Sequence, residues 1–251
     1  MMLKKFAVCA CAAAALAASI ASAAAETLRV GTEPTFAPFE FLDTQTKEFS
    51  GFDMDLVRAV AKKAGYDEVE ILNMGFDALL PALMTGTIDV VAAGLSITPE
   101  RAERIAFTTP YYQTGLSMLV RKEDASKYQK FDDLAGKRIA VQIGTTGADR
   151  AKQIAKAKVS AFNTTSEAFM DLQAGNSDAV LLDRPVIGYF LKTKPRMAKN
   201  LSLQPVIEDA QSFGFGVKKD NKALLDKLNA AYAELEKSGE TKKIFEKWFA
   251  Q

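Results

Sequence analysis

An arginine at the start of a predicted helix is the first candidate for ligand chemistry. The run Thr98-Pro99-Glu100-Arg101 predicts a helix with Thr98 as N-cap and Pro99 in the first helical position. A cation in the first turn opposes the helix dipole, which favours anions there by roughly 0.3 to 1 kcal/mol. Arg101 is therefore poorly placed for helix stability and well placed to bind an anion. The alternative is a solvated Arg101 in an ion pair with Glu100 or Glu103.

A second candidate is an acid at the end of an apolar strand. Asp183 follows Leu181 and Leu182 and precedes Pro185, so it could cap the next helix or receive an ammonium group. The two roles can coexist. An Arg101 that binds a carboxylate and an Asp183 that binds an ammonium would together recognise an α-amino acid.

Other polar and aromatic groups also follow predicted strands. The loop Gly144-Thr145-Thr146-Gly147 lies between a strand and a helix, where free backbone N–H groups bind anions, although a simple turn is the alternative. Phe36 and Phe76 could clamp the aliphatic or cationic part of a ligand, or could belong to the core. Glu33 is either a hydrogen-bond acceptor in a cleft or an ordinary surface carboxylate.

The composition argues against most catalytic and metal sites. The sequence contains no histidine, so the commonest general base and the commonest metal ligand are missing. Its two cysteines, Cys9 and Cys11, both lie near the N-terminus, so zinc and copper sites are not expected in the rest of the chain. We predict no cofactor and no metal. Catalysis would have to rest on carboxylates, Lys or Tyr.

Residues 1–25 have the features of a cleavable signal peptide. Two lysines precede an apolar run over residues 6–20, and small residues at 21–25 form an A-x-A cleavage site. We therefore predict export to the periplasm, with a lipid anchor at Cys11 as the alternative. The apolar run is shorter than the roughly 20 residues that a membrane-spanning helix needs.

The charge of the mature chain points to a small solute as the partner. Removal of the two lysines changes the balance from 32 basic against 31 acidic residues to 30 against 31. No basic stripe appears, so nucleic acids and anionic membrane surfaces are poor candidates.

A repeated pattern predicts two similar α/β lobes that face one cleft. Leu83-x-x-Gly86-x-x-Asp89-x-Val91 matches Leu172-x-x-Gly175-x-x-Asp178-x-Val180, each a helix end that runs into an apolar strand. A β-α-β-α-β rhythm surrounds each copy, as in an open parallel sheet, where ligands bind at the carboxyl ends of the strands. We predict one lobe from residues 26–113 plus 214–251 and another from 114–213, with hinge strands at its edges.

Four sequence segments resemble the periplasmic amino-acid-binding proteins of ABC importers, of the glutamine, histidine and lysine-arginine-ornithine type. The resemblance covers residues 28–249 and is carried by Gly31-Thr32-Glu33-Pro34-Thr35-Phe36-Ala37-Pro38-Phe39, Gly51-Phe52-Asp53-Met54-Asp55-Leu56, Gly94-Leu95-Ser96-Ile97-Thr98-x-x-Arg101 and Gly144-Thr145-Thr146. It implies a type II periplasmic-binding-protein fold of class α/β, with two lobes joined by two hinge strands. It also implies a monomer that delivers an amino acid to an ABC permease in the inner membrane.

The resemblance also implies a role for each candidate site residue. The ligand carboxylate would meet Arg101 and backbone N–H groups near Ser96 and Thr146. The ligand ammonium would meet Asp183, the Gly94 carbonyl and the Ser96 hydroxyl. The remaining positions would meet the ligand side chain, and they are Phe36, Phe76, Glu33 and Gln142.

One departure from the glutamine-specific pattern bears on the ligand. In that pattern a lysine stands at the place of Gln142 and can neutralise the acid at the place of Glu33. With a neutral Gln142, a desolvated Glu33 carboxylate is costly unless a cation pairs with it. We therefore expect arginine or lysine, with glutamine as the alternative, and we expect acidic amino acids to be repelled.

Two other functions compete with transport. A cyclohexadienyl-dehydratase-like enzyme resembles the same fold, but its carboxylate-bearing substrate would meet Glu33 and Asp183 unfavourably. A detached sensor domain would normally continue into a membrane helix. We therefore expect a binding protein and not an enzyme.

Overall fold

The computed structural model describes residues 26–250, in which strands and helices alternate along most of the chain. The predicted signal peptide and both cysteines lie outside these residues. The elements are β1 (Thr27–Thr32), β2 (Thr35–Phe36), β3 (Glu40–Leu42), β4 (Phe49–Ser50), α1 (Phe52–Lys63), β5 (Glu68–Asn73), α2 (Phe76–Thr85), β6 (Val90–Val91), α3 (Pro99–Arg104), β7 (Ile105–Phe107), β8 (Tyr112–Arg121), β9 (Arg138–Gln142), α4 (Thr146–Gln153), β10 (Lys158–Phe162), α5 (Thr165–Gln173), β11 (Ala179–Asp183), α6 (Arg184–Thr193), β12 (Leu201–Leu203), β13 (Glu208–Phe213), β14 (Gly216–Lys218), α7 (Lys222–Ser238) and α8 (Glu240–Phe249).

The first sheet has five strands in the order β5-β1-β6-β14-β7. Strand β1 is parallel to β5 and β6, whereas β14 is antiparallel to β6 and β7. Helix α1 packs its apolar side, including Val57 and Val60, into the core. Its first turn is acidic and its last turn basic, which favours the helix dipole at both ends. The closing helices α7 and α8 contact α1.

The second sheet has the order β10-β9-β11-β8-β12, and β13 also pairs with β8. Strands β9, β10 and β11 are parallel, whereas β8 runs antiparallel to β11 over five paired residues. The fold is therefore mixed α/β with two large sheets, as the sequence predicts.

Two neighbouring strands lead from one sheet to the other. Tyr112 at the start of β8 pairs with Phe213 at the end of β13. Strand β7, which precedes β8 in the chain, and strand β14, which follows β13, both belong to the first sheet. These strands lie where we expect the hinge. The lobe boundaries at residues 113/114 and 213/214 remain a prediction.

The two copies of the repeated pattern make equivalent contacts. Asp89 accepts hydrogen bonds from the backbone N–H, Nε and Nη2 of Arg29 at the start of β1. Asp178 accepts the same three bonds from Arg138 at the start of β9. In each case the repeated aspartate joins the turn after a helix to the start of a strand that pairs in parallel with its neighbours.

Helix α2 begins at Phe76 after Gly75, and Asp77 is its second residue. One part of the repeated pattern needs correction. The apolar run at residues 88–93 contributes only Val90–Val91 to the ladder. The small antiparallel sheet β2-β3-β4 was not predicted, because its strands are only two or three residues long. Among the helices of residues 26–250, none has the length and apolarity that crossing a membrane requires.

Asp178→Asn is expected to lower the free energy of unfolding by about 1–2 kcal/mol at neutral pH, because charge-assisted hydrogen bonds to two arginines are weakened. The bonds to Arg138 lower the folded-state pKa of Asp178 from 3.8 to about 2. Its stabilisation is therefore present above about pH 4 and is lost as the pH falls towards about 2. Urea unfolding at several pH values measures this.

The matched control for this prediction is Asp220→Asn. The Asp220 side chain is 75% exposed and its carboxylate lies 3.6 Å from the Lys218 Nζ, so a change within about 0.5 kcal/mol is expected. Equal effects of the two substitutions would contradict the role given to Asp178.

Candidate ligand-binding site

The predicted site residues come together where the two sheets approach each other. Glu33 follows β1, Gln142 ends β9 and Asp183 ends β11. The Gln142 Nε2 lies 2.8 Å from the Glu33 Oε2, and the Arg101 Nη2 lies 3.0 Å from the Gly144 carbonyl oxygen. Both hydrogen bonds join residues of different sheets or their loops. The strand ends therefore form one shared crevice, as expected for the carboxyl ends of α/β sheets.

The local structure around Arg101 directs its guanidinium into this crevice. Thr98 caps α3 through its hydroxyl, which accepts the Arg101 N–H, and Pro99 occupies the first helical turn, as predicted. The Arg101 Nη1 donates to the Ser96 carbonyl at 2.8 Å, and the guanidinium carbon lies 5.5 Å from the centre of the Phe76 ring. Within residues 26–250, Arg101 forms no ion pair with Glu100 or Glu103. Burial lowers the pKa of the guanidinium, so a buried anion would be a favourable partner.

The Gly144–Gly147 loop lies opposite Arg101. Gly144 has a φ of +75°, and the Thr145 hydroxyl caps α4 by accepting the Ala148 N–H. The N–H groups of Thr146 and Gly147 form no hydrogen bond within residues 26–250. A cavity of about 270 Å³ lies between this loop and Arg101, and Phe76 also lines it. Arg101 and Thr146 line this cavity and favour an anion there, whereas Asp77, Glu100 and Asp149, which also line it, oppose one.

Asp183 is an acceptor within the crevice and does not cap α6. Its side chain forms no capping hydrogen bond, and its Oδ1 instead accepts the Thr114 hydroxyl at 2.9 Å. Only 5% of the residue is exposed, and burial raises the pKa of the carboxyl from 3.8 to about 7. The Thr114 bond and the charge of Arg101 oppose this rise. Arg101 and Asp183 are close enough to interact electrostatically, and within residues 26–250 they form no ion pair with each other.

Glu33 is buried without a cationic partner in residues 26–250. Its Oε2 accepts hydrogen bonds from the Thr35 hydroxyl and the Gln142 amide, both at 2.8 Å. Burial raises the pKa of Glu33, and the two hydrogen bonds reduce the rise. Glu33 is thus not an ordinary surface carboxylate, and Gln142 supplies a hydrogen bond but no charge.

Glycine is required where Phe36 meets the backbone at Gly94. Gly94 has a φ of +51°, and a Cβ at this position would lie 2.8 Å from the Phe36 Cε1. Ser96 is buried beside it and forms a bridge to Phe213 at the end of β13. Phe36 and Phe76 are both largely buried, and each also packs against core residues.

Sequence reasoning missed four polar residues that hold the site. Thr35 donates to Glu33, and Thr114 donates to Asp183. Asp53 accepts the Gly94 N–H, and the Tyr111 hydroxyl donates to Asp53. Only Asp53 and Thr35 had a sequence signal, because they fall within the segments that carry the family resemblance.

No metal centre accompanies these acids. Residues 26–250 contain no group of three or more His, Cys, Asp or Glu side chains that could hold a metal ion. What the crevice presents is a guanidinium with free N–H groups on one side and buried carboxylates on the other, which is suited to a zwitterion.

The chain matches a known protein family over nearly all of its described residues. The chain belongs to the bacterial extracellular solute-binding proteins of family 3, whose model it matches over residues 28–251. Among curated relatives, the ABC transporter arginine-binding protein 1 of Escherichia coli (strain K12) is 38% identical over 245 residues, covering 95% of this chain and 98% of that protein. The chain is therefore an amino-acid-binding solute-binding protein of the kind that serves ABC importers.

Solved structures of similar proteins support the fold. An ancestral arginine-binding protein bound to arginine has a TM-score of 0.84 at 40% identity, covering 89% of this chain and 98% of that one. An ancestral arginine-binding protein bound to glutamine has a TM-score of 0.85 at 41% identity, covering 90% and 98%. An ancestral amino-acid-binding protein described as a precursor of cyclohexadienyl dehydratase has a TM-score of 0.81 at 37% identity, covering 89% and 96%. These matches confirm the type II periplasmic-binding-protein fold.

Asp183→Asn is expected to stabilise the unliganded protein above neutral pH. The folded-state pKa of Asp183 is raised from 3.8 to about 7. The folded protein therefore loses stability as the pH rises from 3.8 to about 7, because it holds a proton there that the unfolded chain has released. The variant escapes this loss and keeps an oxygen for Thr114. We expect a gain of at least about 1 kcal/mol at about pH 8 that disappears near about pH 4.

Urea unfolding at these two pH values measures the gain, and Asp149→Asn is the control. The Asp149 side chain is 59% exposed, so this substitution should change stability little at either pH. An Asp183→Asn protein less stable than the wild type at about pH 8 would contradict the interpretation.

Proposed function

We propose that the crevice binds a basic L-amino acid, with arginine preferred, as the substrate-binding step of an ABC importer. The observation that carries the proposal is that two buried carboxylates, Glu33 and Asp183, lack a cation while Arg101 faces the same space. An arginine molecule carries one carboxylate and two cationic groups, the ammonium and the guanidinium. It can therefore neutralise Arg101 and both buried carboxylates, Glu33 and Asp183. Neither glutamine nor glutamate can do so.

The invariant part of the ligand would be held from both lobes. The carboxylate would lie between the Arg101 guanidinium and the N–H groups of Thr146 and Ser96. The ammonium would bind the Asp183 carboxylate, the Gly94 carbonyl and the Ser96 hydroxyl. Charge-assisted hydrogen bonds of this kind are about twice as strong as neutral ones, so this end supplies affinity that all amino acids share.

The side chain of the ligand would contact Glu33 and the two aromatic residues Phe36 and Phe76. A guanidinium near the Glu33 Oε2 would compensate a carboxylate that burial now destabilises. Phe36 and Phe76 would pack on the aliphatic stem, and cation–π attraction would add to the preference for a cation. Two of the structures reported above support this ligand class, since they are arginine-binding proteins, one with arginine bound and one with glutamine bound.

We also propose a cellular setting for this activity. The chain would be exported to the periplasm with residues 1–25 as signal peptide, and would act there as a monomer. Ligand binding would close the two lobes about the strands β8 and β13, and the closed form would dock on a permease in the inner membrane. The family description and the ABC transporter relative support this setting.

A binding protein is preferred over an enzyme of the dehydratase type. The relatives reported above are binding proteins, although one is a precursor of a dehydratase. Buried carboxylates at Glu33 and Asp183 would repel the carboxylates of prephenate. We expect no turnover of prephenate or arogenate, and measurable turnover of either would overturn this choice.

Calorimetry with arginine, lysine, histidine, glutamine and glutamate tests the proposed function. We expect arginine to bind most tightly, lysine and glutamine more weakly, and glutamate not at all. The absence of binding by every amino acid in the panel would refute amino-acid binding. Tighter binding of glutamate than of arginine would refute the charge argument alone.

Glu33→Gln is expected to weaken arginine binding by at least about tenfold and glutamine binding by less than about threefold, because only arginine places a cation at this carboxylate. Titration calorimetry of the variant with both ligands measures the difference. Glu123 provides the control, because its side chain is 78% exposed, and Glu123→Gln should leave both affinities within about twofold. Equal losses for the two ligands would show that Glu33 does not meet the side chain.

Arginine binding is expected to release protons near neutral pH. The free carboxyl of Asp183 has a pKa of about 7, and a bound ammonium would lower it, so affinity should rise with pH by up to about tenfold per unit below that value. Glu33, whose pKa is also raised, acts in the same direction. Calorimetry in buffers of different ionisation enthalpy measures the release, and proton uptake on binding would contradict the assignment.

A further inference from the structure

We infer that Asp53 is a positioning residue for the ligand ammonium, and that it acts through Gly94. The inference rests on the proposed function, because it takes the Gly94 carbonyl as an acceptor for that ammonium. Asp53 itself lies in the first turn of α1 and is fully buried. It therefore acts on a ligand only through the groups that it holds.

The Asp53 carboxylate fixes the orientation of one peptide group at the site. Its Oδ2 accepts the Gly94 N–H at 2.8 Å. The Gly94 carbonyl, in contrast, accepts no hydrogen bond from residues 26–250. A buried acceptor without a donor is costly, so this carbonyl is available to a ligand N–H.

The conformation that Asp53 holds is one that glycine must adopt. Gly94 has a φ of +51°, with the Phe36 ring against its Cα. Glycine reaches many other backbone conformations, so a local hydrogen bond is needed to select this one. The Asp53 bond supplies that selection and keeps the ammonium acceptor in place before a ligand arrives.

The same Oδ2 atom connects the site to the strand that leads between the sheets. It accepts the Tyr111 hydroxyl at 2.6 Å, and the Tyr111 backbone N–H donates to the Phe213 carbonyl next to β8. Gly94, α1 and the start of the expected hinge thus meet at one carboxylate. The other oxygen, Oδ1, has no partner within residues 26–250.

The nearest buried acid offers a matched control. Glu40 of β3 is as buried as Asp53 and interacts with it electrostatically, but neither of its carboxyl oxygens has a hydrogen-bond partner in residues 26–250. Its carboxyl therefore forms no hydrogen bond with Gly94 within residues 26–250, and its recorded interactions with Asp53, Glu33 and Asp183 are electrostatic only. Glu40→Ala therefore removes a buried carboxyl from the same region without disturbing the ammonium acceptor.

The test compares arginine with 5-guanidinopentanoate, which keeps the carboxylate and the guanidinium but has no ammonium. Asp53→Ala is expected to weaken arginine at least about tenfold and the analogue less than about threefold, because only arginine uses the Gly94 carbonyl. Asp53→Asn keeps an oxygen acceptor and should recover arginine affinity to within about threefold of wild type. Glu40→Ala should change neither ligand by more than about threefold.

Equal losses for both ligands in Asp53→Ala, or no loss for arginine, would overturn the inference. If the wild-type protein binds no basic amino acid, the proposed function fails instead, before any Asp53 variant is needed. The two failures are therefore distinguishable.

A measurement on the wild-type protein covers the case in which Asp53→Ala does not fold. Burial raises the pKa of Asp53 to about 7, and the groups that face it are Gly94, Tyr111 and Glu40, with Tyr232 of α7 beyond Tyr111. The NMR shift of the Gly94 amide proton should follow its protonation, and arginine should lower the midpoint while the analogue leaves it unchanged. Equal midpoints with the two ligands would overturn the inference.

Discussion

The site depends on the free-energy cost of burying ionisable side chains, away from water, where the two sheets meet. Glu33 and Asp183 are each 5% exposed, and burial raises the pKa of both carboxyls. Arg101 faces the same crevice, and burial lowers the pKa of its guanidinium. Each group therefore resists its own ionised form until a partner of opposite charge arrives. A ligand that supplies those partners would convert an unfavourable arrangement into a favourable one, and this is why we propose that binding favours lobe closure.

The polar contacts between the lobes agree with this interpretation. They are few, and they use neutral groups: the Gln142 amide on Glu33, the Gly144 carbonyl on Arg101, and the Thr165 hydroxyl on the Thr35 carbonyl. Within residues 26–250, no such contact pairs an acid of one lobe with a base of the other inside the crevice. This distribution of charge agrees with our proposal that the space between the lobes opens about the strands β8 and β13.

Much of this could be predicted from the sequence, because local patterns carried it. The Thr98 cap, the positions of most helices and strands, and the repeated pattern that contains Asp89 and Asp178 each depend on a few adjacent residues. The bonds of these two aspartates to Arg29 and Arg138 span 60 and 40 residues and were not predicted. The contacts of Asp183 could not be predicted. Thr114 reaches it only because β8 pairs with β11 in a register that places Asp183 opposite Leu116, and nothing local sets that register. The Asp53 contact with Gly94 likewise spans 41 residues of chain.

The central claim is that a guanidinium from one lobe and a carboxylate from the other hold the two ends of one amino acid. A crystal structure of the protein with arginine tests it most directly. We predict the ligand carboxylate within hydrogen-bond distance of Arg101, and the ligand ammonium within hydrogen-bond distance of Asp183. A ligand bound in the opposite direction, or one that contacts only a single lobe, would contradict the account.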